Sequence, residues 1–281
     1  MFRALLACLV VLLAVAAPGG AGDRVPGASA KETVEELAAL GPRPEGSATE
    51  RKAARLAAGR LRELGYTVEI QIFPLPGGGV SRNVVGRTPG VPRAIVAAHV
   101  DGVSAGPAAN DNASGVAAML EVARALRGER GVLVAALGAE ERVETGSPLH
   151  LGSARLVEGL SSAERRGVRL AVSLDMVGFG TTLHVRGLEP APNRSARLAL
   201  ARARAVGVPA TYLPDTGQSD HAELTRAEIP AAWIQWRWDR CWHEACDSAE
   251  RVKAWKLGAA ARLALAAVRA ALARGQESAS R

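Results

Sequence analysis

The chain has 281 residues, enough for one large α/β domain or two small ones. It carries 31 Arg and 4 Lys within its 35 basic residues, for a net charge of +7. The arginines are spread along helices, as at 51–62 and 194–204, and no basic run is interleaved with aromatics. This pattern speaks for solvated helix faces and against a nucleic-acid partner. Aliphatic residues are plentiful and aromatics scarce, so the core is expected to be Val, Leu, Ile and Ala.

The first 22 residues read as a secretory signal. Arg3 supplies the positive start, Ala4 to Ala17 the apolar stretch, and Ala14-Val15-Ala16 the small-residue cleavage pattern. The apolar stretch is too short for a membrane span, so no stable membrane insertion is expected once it is cleaved. A retained anchor is the alternative. Cys8 falls too early for a lipid-modified cysteine. Pro18 to Ala30 is rich in Gly, Pro and Ala, and 23–30 is expected to be a disordered linker. The folded domain is then 31–275, with a disordered tail at 276–281.

Lys31 to Leu40 predicts a helix that Gly41-Pro42-Arg43-Pro44 breaks. Ser47 can cap a second helix ending at Leu64, with Gly65 as its terminator. Tyr66 to Phe73 alternates apolar and polar residues like an antiparallel edge strand, and Pro74 to Gly79 is a turn. Strands then alternate with helices. Buried strands are expected at 93–100, 131–137 and 168–176, with shorter ones at 182–186 and 231–235. Helices are expected at 114–126, 149–159, 193–206, 220–226 and 248–272. This order predicts a single α/β domain: a mainly parallel mixed sheet with helices on both faces. In such sheets ligands bind beyond the carboxyl ends of the strands.

Six residues stand at or near those ends. His99, Asp111, Glu141, Asp175 and His243 are spaced to hold two metal ions, and Glu140 is a candidate general base. His99-Val100-Asp101 puts a ligand beside a carboxylate that can accept its other N–H. Asp111 has two oxygens and can bridge two cations, although Asn110-Asp111-Asn112 could also be an ordinary helix cap. Glu140 and Glu141 follow a buried strand and would repel unless a cation neutralises one of them. Asp175 closes an apolar strand, a costly place for an unpaired carboxylate. His and carboxylate ligands favour zinc. Two Zn²⁺ are balanced by Asp111, Glu141, Asp175 and a hydroxide, which leaves Glu140 free to take a proton.

Cleavage of the signal would leave two cysteines, Cys241 and Cys246, on either side of His243. In an exported chain this suggests a disulfide that fixes the histidine; two free thiols are the alternative.

These segments resemble the secreted di-zinc aminopeptidases of the aminopeptidase S and aminopeptidase Y type. The resemblance runs over about residues 31 to 260. Its motifs are Gly41-Pro42-Arg43-Pro44-Glu45-Gly46-Ser47, His99-Val100-Asp101, Asn110 to Gly115, Glu140-Glu141, Leu174 to Gly178, Ser219-Asp220-His221 and Asp239 to His243. It implies one zinc on His99, Asp111 and Asp175, and a second on Asp111, Glu141 and His243. It further implies a bridging Asp111, an orienting Asp101, a general base in Glu140, a cis peptide at Asp111-Asn112 and a Cys241–Cys246 disulfide. The expected activity is hydrolysis of the first peptide bond of peptides with a free N-terminus.

Two departures lean towards the related glutaminyl cyclases, which use one zinc to form N-terminal pyroglutamate. Trp242 stands where the peptidases carry Tyr, as a candidate substrate contact, and 142–151 lengthens the connection after Glu141. A non-catalytic binding domain is a further alternative. Among the remaining residues, His150 is expected in an exposed loop, with the mouth of the site as the alternative; His221 resembles a family position near the site or serves a structural helix start; His184 is expected in packing. Trp233, Trp236 and Trp238 are expected either as a substrate wall or as sheet core.

Overall fold

The computed structural model describes residues 25–141 and 149–273. The signal reading at 1–22, the tail at 276–281 and most of the 142–151 insertion lie outside these residues.

Helix α1 (Gly27–Ala38) begins inside the stretch expected to be disordered. The reason is close packing. A Cβ on Gly27 would lie 1.9 Å from the Ala254 carbonyl oxygen, so α1 starts flush against the last helix. Lys31 Nζ adds a hydrogen bond to the Ala249 carbonyl at 2.6 Å. Helix α2 (Ala48–Glu63) is capped by Ser47, whose hydroxyl accepts the Glu50 N–H. Gly65 follows it at φ +85°, where a side chain would be strained.

The sheet has eight strands: β1 (Thr67–Pro74), β2 (Val80–Arg87), β3 (Ala94–His99), β4 (Val132–Leu137), β5 (Leu170–Leu174), β6 (Thr182–Gly187), β7 (Thr211–Pro214) and β8 (Ala231–Arg237). Their spatial order is β1-β2-β4-β3-β5-β8-β6-β7. The central four are parallel, and β1, β2 and β4 pair antiparallel, as does β6 with β8. The remaining helices are α3 (Ser114–Ala125), α4 (Leu151–Gly159), α5 (Ser162–Gly167), α6 (Arg194–Ala205), α7 (His221–Arg226) and α8 (Ala254–Ala273).

Alternation along the central strands divides the core. Ala94, Val96 and Ala98 of β3 and Val132, Val134 and Ala136 of β4 pack under α1, α2, α3, α6 and α8. Ile95 and Ala97, with Leu133, Ala135 and Leu137, face α4 and α7. Every residue of β3, β4 and β5 is buried, which explains their unbroken apolar runs.

Three elements escape the sequence patterns. β2 carries buried Ser81 and Asn83, so it does not read as a core strand. β7 has only four residues and α5 buries none. The single closing helix expected at 248–272 is instead a short 3₁₀ turn at Ala249–Arg251 followed by α8. Between them the Lys253 N–H bonds to the Gly178 carbonyl, which pins the break to the loop after β5. No helix among the described residues is long and apolar enough to cross a membrane.

Candidate active site

The ends of β3, β4 and β5 deliver His99, Glu140-Glu141 and Asp175 to one crevice. β3 is the point where the chain reverses direction across the sheet: β4 lies on one side of it and β5 on the other. This is the place where an open α/β sheet leaves room for a ligand. Asp111 comes from the kinked turn Ala109–Ala113 just before α3, in which Asp111 and Asn112 depart from helical backbone angles. His243 comes from the loop after β8.

Asp111 lies between two imidazoles. Its Oδ1 is 3.3 Å from His99 Nε2, and its Oδ2 is 3.4 Å from His243 Nε2. His99 Nε2 is also 3.6 Å from Asp175 Oδ1, and His243 Nε2 is 3.0 Å from Glu141 Oε2. Ligand atoms of His99, Asp111 and Glu141 lie close enough to share one ion, as do those of His99, Glu140 and Asp175. All of these residues except His243 are buried. Both ring nitrogens of His99 and Asp175 Oδ1 are buried without a hydrogen-bond partner. Buried polar atoms normally find a partner, so this donor set suits a cation.

The electrostatics agree. Burial works against a charged His99, yet Glu140 and the contacts with Asp101, Asp111 and Asp175 raise its pKa well above the usual range. His243 is likewise opposed by burial but lifted to about 10 by Asp111 and Glu141. Burial pushes Glu141 up to about 7, with the Asp111 charge adding to it. Burial also raises Glu140 and Asp175. A carboxylate cluster of this kind draws positive charge, whether protons or metal.

The supporting contacts differ in part from those the sequence suggests. Asp101 Oδ1 is 3.7 Å from His99 Nδ1, longer than a hydrogen bond. Its Oδ2 instead accepts the backbone N–H of both Glu140 and Glu141 at 3.0 Å. Asp101 therefore ties the end of β4 to the end of β3.

The residues beside Asp111 serve mainly as braces, and Asn112 also takes a first-turn N–H of α3. Asn110 Oδ1 accepts the N–H of Gly178 and Phe179, at 2.9 and 3.0 Å. Asn112 Oδ1 accepts from Gly115 N–H at 2.8 Å and Met176 N–H at 3.3 Å, while its Nδ2 donates to the Leu174 carbonyl at 3.0 Å. Asp247 holds the same segment from the other side, accepting the Asn110 N–H at 2.8 Å and the Asp111 N–H at 3.0 Å. The Asp111-Asn112 peptide is cis. Ala139, Met176, His243, Ala108 and His150 all have positive φ, an uncommon conformation for residues with a side chain. All five neighbour or belong to this site, where such strain typically collects.

Cys241 and Cys246 form a disulfide. It closes the loop that carries His243 and leads directly into Asp247.

A scan of protein families matches residues 83–268 to the model described as peptidase family M28. The chain belongs to peptidase family M28. Aminopeptidase YwaD of Bacillus subtilis is 32% identical over 186 residues, which are 62% of this chain and 40% of YwaD. Leupeptin-inactivating enzyme 1 of Streptomyces exfoliatus is 28% identical over 277 residues, 86% of this chain and 61% of that protein. The chain thus spans less than two thirds of these curated relatives. In fold it is similar to BSAP, a zinc aminopeptidase from Bacillus subtilis, with a TM-score of 0.81 at 22% identity, covering 88% of this chain and 95% of that one. It is also similar to a glutaminyl cyclase from Bacteroides thetaiotaomicron, with a TM-score of 0.75 at 22% identity, covering 87% and 98%.

The remaining histidines and tryptophans fall largely where the sequence suggests, His150 excepted. His150 is not in an exposed loop. It is buried, with Nε2 3.4 Å from Glu140 Oε1, because its N–H bonds to the Glu140 carbonyl and folds the returning chain over the site. His221 is buried with Nε2 3.0 Å from Asp215 Oδ2, a structural pair. His184 Nδ1 meets Thr211 Oγ1 across β6 and β7 at 3.0 Å. Trp233 is buried and donates from Nε1 to the Asp175 carbonyl at 3.0 Å. Trp236 is buried, while Trp238 is 68% exposed. All three tryptophans line the cleft beside the site. Trp242 also lines it, 52% exposed, with its ring 4.3 Å from that of His243. In the sequence Arg43 stands in a helix-breaking turn and in the Gly41–Ser47 motif of the resemblance. It is the largest fully buried side chain among the described residues, and nothing in its Pro-Arg-Pro context signals that.

Proposed function

We propose that this chain is an exported zinc-dependent aminopeptidase that removes the first residue of peptides. The observation that carries the reading is Asp111, with one oxygen towards His99 and the other towards His243. That arrangement suits a carboxylate bridging two ions. His99, Asp111 and Asp175 would hold one zinc, and Asp111, Glu141 and His243 the other. The unpartnered nitrogens of His99 and the unpartnered oxygen of Asp175 fit this demand. Bound zinc supplies Lewis acidity, polarising a substrate carbonyl and lowering the pKa of water.

The side chains of the chain itself do the rest. Glu140 is the group left over after charge balance. One of its oxygens takes the proton of the attacking water and then delivers it to the leaving amine nitrogen. His150 packs against Glu140 and limits its movement. The excess of carboxylates favours a substrate with a free α-ammonium, hence an exopeptidase. Asp101 keeps the Glu140 and Glu141 backbones in place. Trp242 flanks the path of the substrate. Export is supported by the leader-like first residues and agrees with the disulfide.

Trp242 also favours a second reading, a glutaminyl cyclase with one zinc. One experiment separates the two. Zinc per chain is measured on the purified protein, together with cleavage of a leucine anilide and cyclisation of an N-terminal glutamine peptide. Two zinc ions with anilide cleavage, lost in Glu140→Gln, support the peptidase. One zinc with pyroglutamate formation and no cleavage assigns the cyclase. No bound metal and neither activity would leave a binding domain.

A further inference from the structure

The cleft beside the carboxylate cluster has a volume of about 660 Å³ and two unlike walls. One wall is the cluster itself. The other is one face of β6 and β8, which lines the cleft. On β8, Trp233, Gln235 and Arg237 alternate onto that face. On β6, Arg186 pairs in register with Trp233 and points the same way.

Arg186 is buried, and its guanidinium lies 4.0 Å over the Trp233 ring. Nη1 donates to Gln235 Oε1 at 2.9 Å and Nη2 to Gln218 Oε1 at 3.1 Å, while Nε has no hydrogen-bond partner. A guanidinium only donates, so the amide atom of Gln218 that faces it must be the oxygen. The Gln218 NH₂ therefore points away from Arg186, from a side chain that lines the cleft and is exposed. Arg237 lines the same cleft, stacked 4.5 Å from the Trp238 ring.

Nearby carboxylates offset the Arg186 charge only in part, and no carboxylate is paired with Arg237 among the described residues. Asp215 Oδ2 is 3.9 Å from Arg186 Nε, beyond hydrogen-bond distance, and 3.0 Å from His221 Nε2. Asp239 is taken by Arg251 and by the Asn110 amide. Asp175 faces His99. The Arg237 guanidinium and the Gln218 amide thus face one side of the cleft, backed by the buried, only partly offset charge of Arg186. Stacked guanidinium groups with spare donors are well suited to carboxylate recognition.

We propose that the β6–β8 wall is a carboxylate-binding subsite, so that the preferred substrates are peptides whose first residue is Glu or Asp. This rests on the peptidase reading. The binding chemistry stands by itself. The same carboxylate could also come from the C-terminus of a dipeptide, and a cationic first residue is disfavoured in either case.

The test is calorimetric binding to the full chain with zinc present. L-glutamate, L-leucine and L-lysine are titrated separately, followed by the dipeptide Leu-Gly and its C-terminal amide. Glutamate is expected to bind about tenfold tighter than leucine, as a charge-assisted contact requires. The preference is expected to fall about tenfold in Arg186→Gln. Arg237→Gln, at a less buried position, should lower the same ratio and serves if the first variant does not fold. If Leu-Gly binds tighter than its amide while glutamate equals leucine, the carboxylate is the C-terminal one and the preference for acidic first residues is overturned. Equal binding of glutamate and leucine with no effect of the amide overturns the subsite. Binding is read whether or not the anilide is cleaved, so failure of the peptidase reading shows separately.

Discussion

Replacing Arg43 by Met should cost stability out of proportion to a single side chain. Arg43 Nε donates to the Val100 carbonyl at 3.0 Å, and Nη1 donates to Pro107 at 2.7 Å and Leu37 at 3.3 Å. Nη2 donates to Ala108 at 2.9 Å. One guanidinium thus joins the end of α1, the exit of β3 and the segment entering the Asp111 turn. Burial lowers its pKa to about 10, against the opposing pull of Asp101, Asp247 and Asp111. It remains a cation that offsets these carboxylates. Methionine fills much of the volume but takes a donor from four carbonyls; Leu37 and Ala108 keep the backbone N–H of Leu40 and Ala113, whereas Val100 and Pro107 lose theirs. A buried group left unpaired costs about 1–3 kcal/mol, and such losses do not add fully. A total near 4 kcal/mol follows, comparable with breaking a buried ion pair at about 3–5 kcal/mol. For a domain of this size the melting temperature should fall by roughly 10 °C. Arg43→Lys keeps the charge without the planar fork and should lose about half as much. Urea and thermal denaturation at pH 7, with zinc held constant, measure both variants. A loss under about 1 kcal/mol for Arg43→Met would refute the reasoning, because it would mean that those carbonyls need no internal donor.

Three further outcomes are expected. Burial holds the Glu50 pKa up at about 7, so folding binds its proton. The favourable term is complete below the unfolded value of 4.5 and is lost as pH rises through about 7, a swing of about 3 kcal/mol. Glu50→Gln should lessen the decline in urea stability between pH 5 and pH 8 by about 2–3 kcal/mol, the remainder coming from the other buried carboxyls, and an unchanged decline counts against it. At Gly115 a Cβ would sit 2.0 Å from the Leu174 carbonyl oxygen and 2.2 Å from Asn112 Oδ1. Gly115→Ala should therefore cost about 3 kcal/mol and reduce bound zinc, checked by denaturation and metal analysis. A variant with wild-type stability and zinc content contradicts that geometry. Finally, burial raises Glu140, Glu141 and Asp175 in the metal-free chain, Glu141 to about 7. Folded-state pKa values above the unfolded ones mean that metal-free stability falls as pH rises through that range, while zinc competes better for deprotonated ligands. The gain in melting temperature on adding zinc should be larger at pH 8 than at pH 6. Equal gains would argue against these carboxyls as the ligands.

The central strands and the metal-type residues were legible in the sequence for the same physical reason. A strand buried on both faces must be apolar throughout, so His99, Glu140-Glu141 and Asp175 stand out as charges at the ends of oily runs. β2 was not legible, because its polar residues are satisfied from far away. Ser81 bonds to Glu50, and Asn83 Nδ2 reaches the Gly152 carbonyl at 2.8 Å. No local periodicity records such partners. The same holds for Arg43, whose acceptors at 100, 107 and 108 lie 57 to 65 residues away. Asp247 is 136 residues from the Asp111 N–H that it holds. His150 looked like a loop residue because the contact that buries it, with Glu140, crosses an insertion of no regular pattern.

This difference shows what precision at the site depends on. The ligand-type residues come from three strand ends, one turn and one loop, and strand geometry alone positions only the strand-end set. Asp111 and His243 lie outside the sheet, and their placement is fixed by side chains acting on backbone groups. Asn110, Asn112 and Asp247 hold the Asp111 turn, and the disulfide couples Asp247 to His243. Asp247 and His243 therefore share one loop, so a shift that misplaced the histidine would also release the Asp111 backbone. The two halves of the cluster are coupled through the chain as well as through any shared ion. Loss of the disulfide should then disturb the His99 side of the site too, although no cysteine touches it.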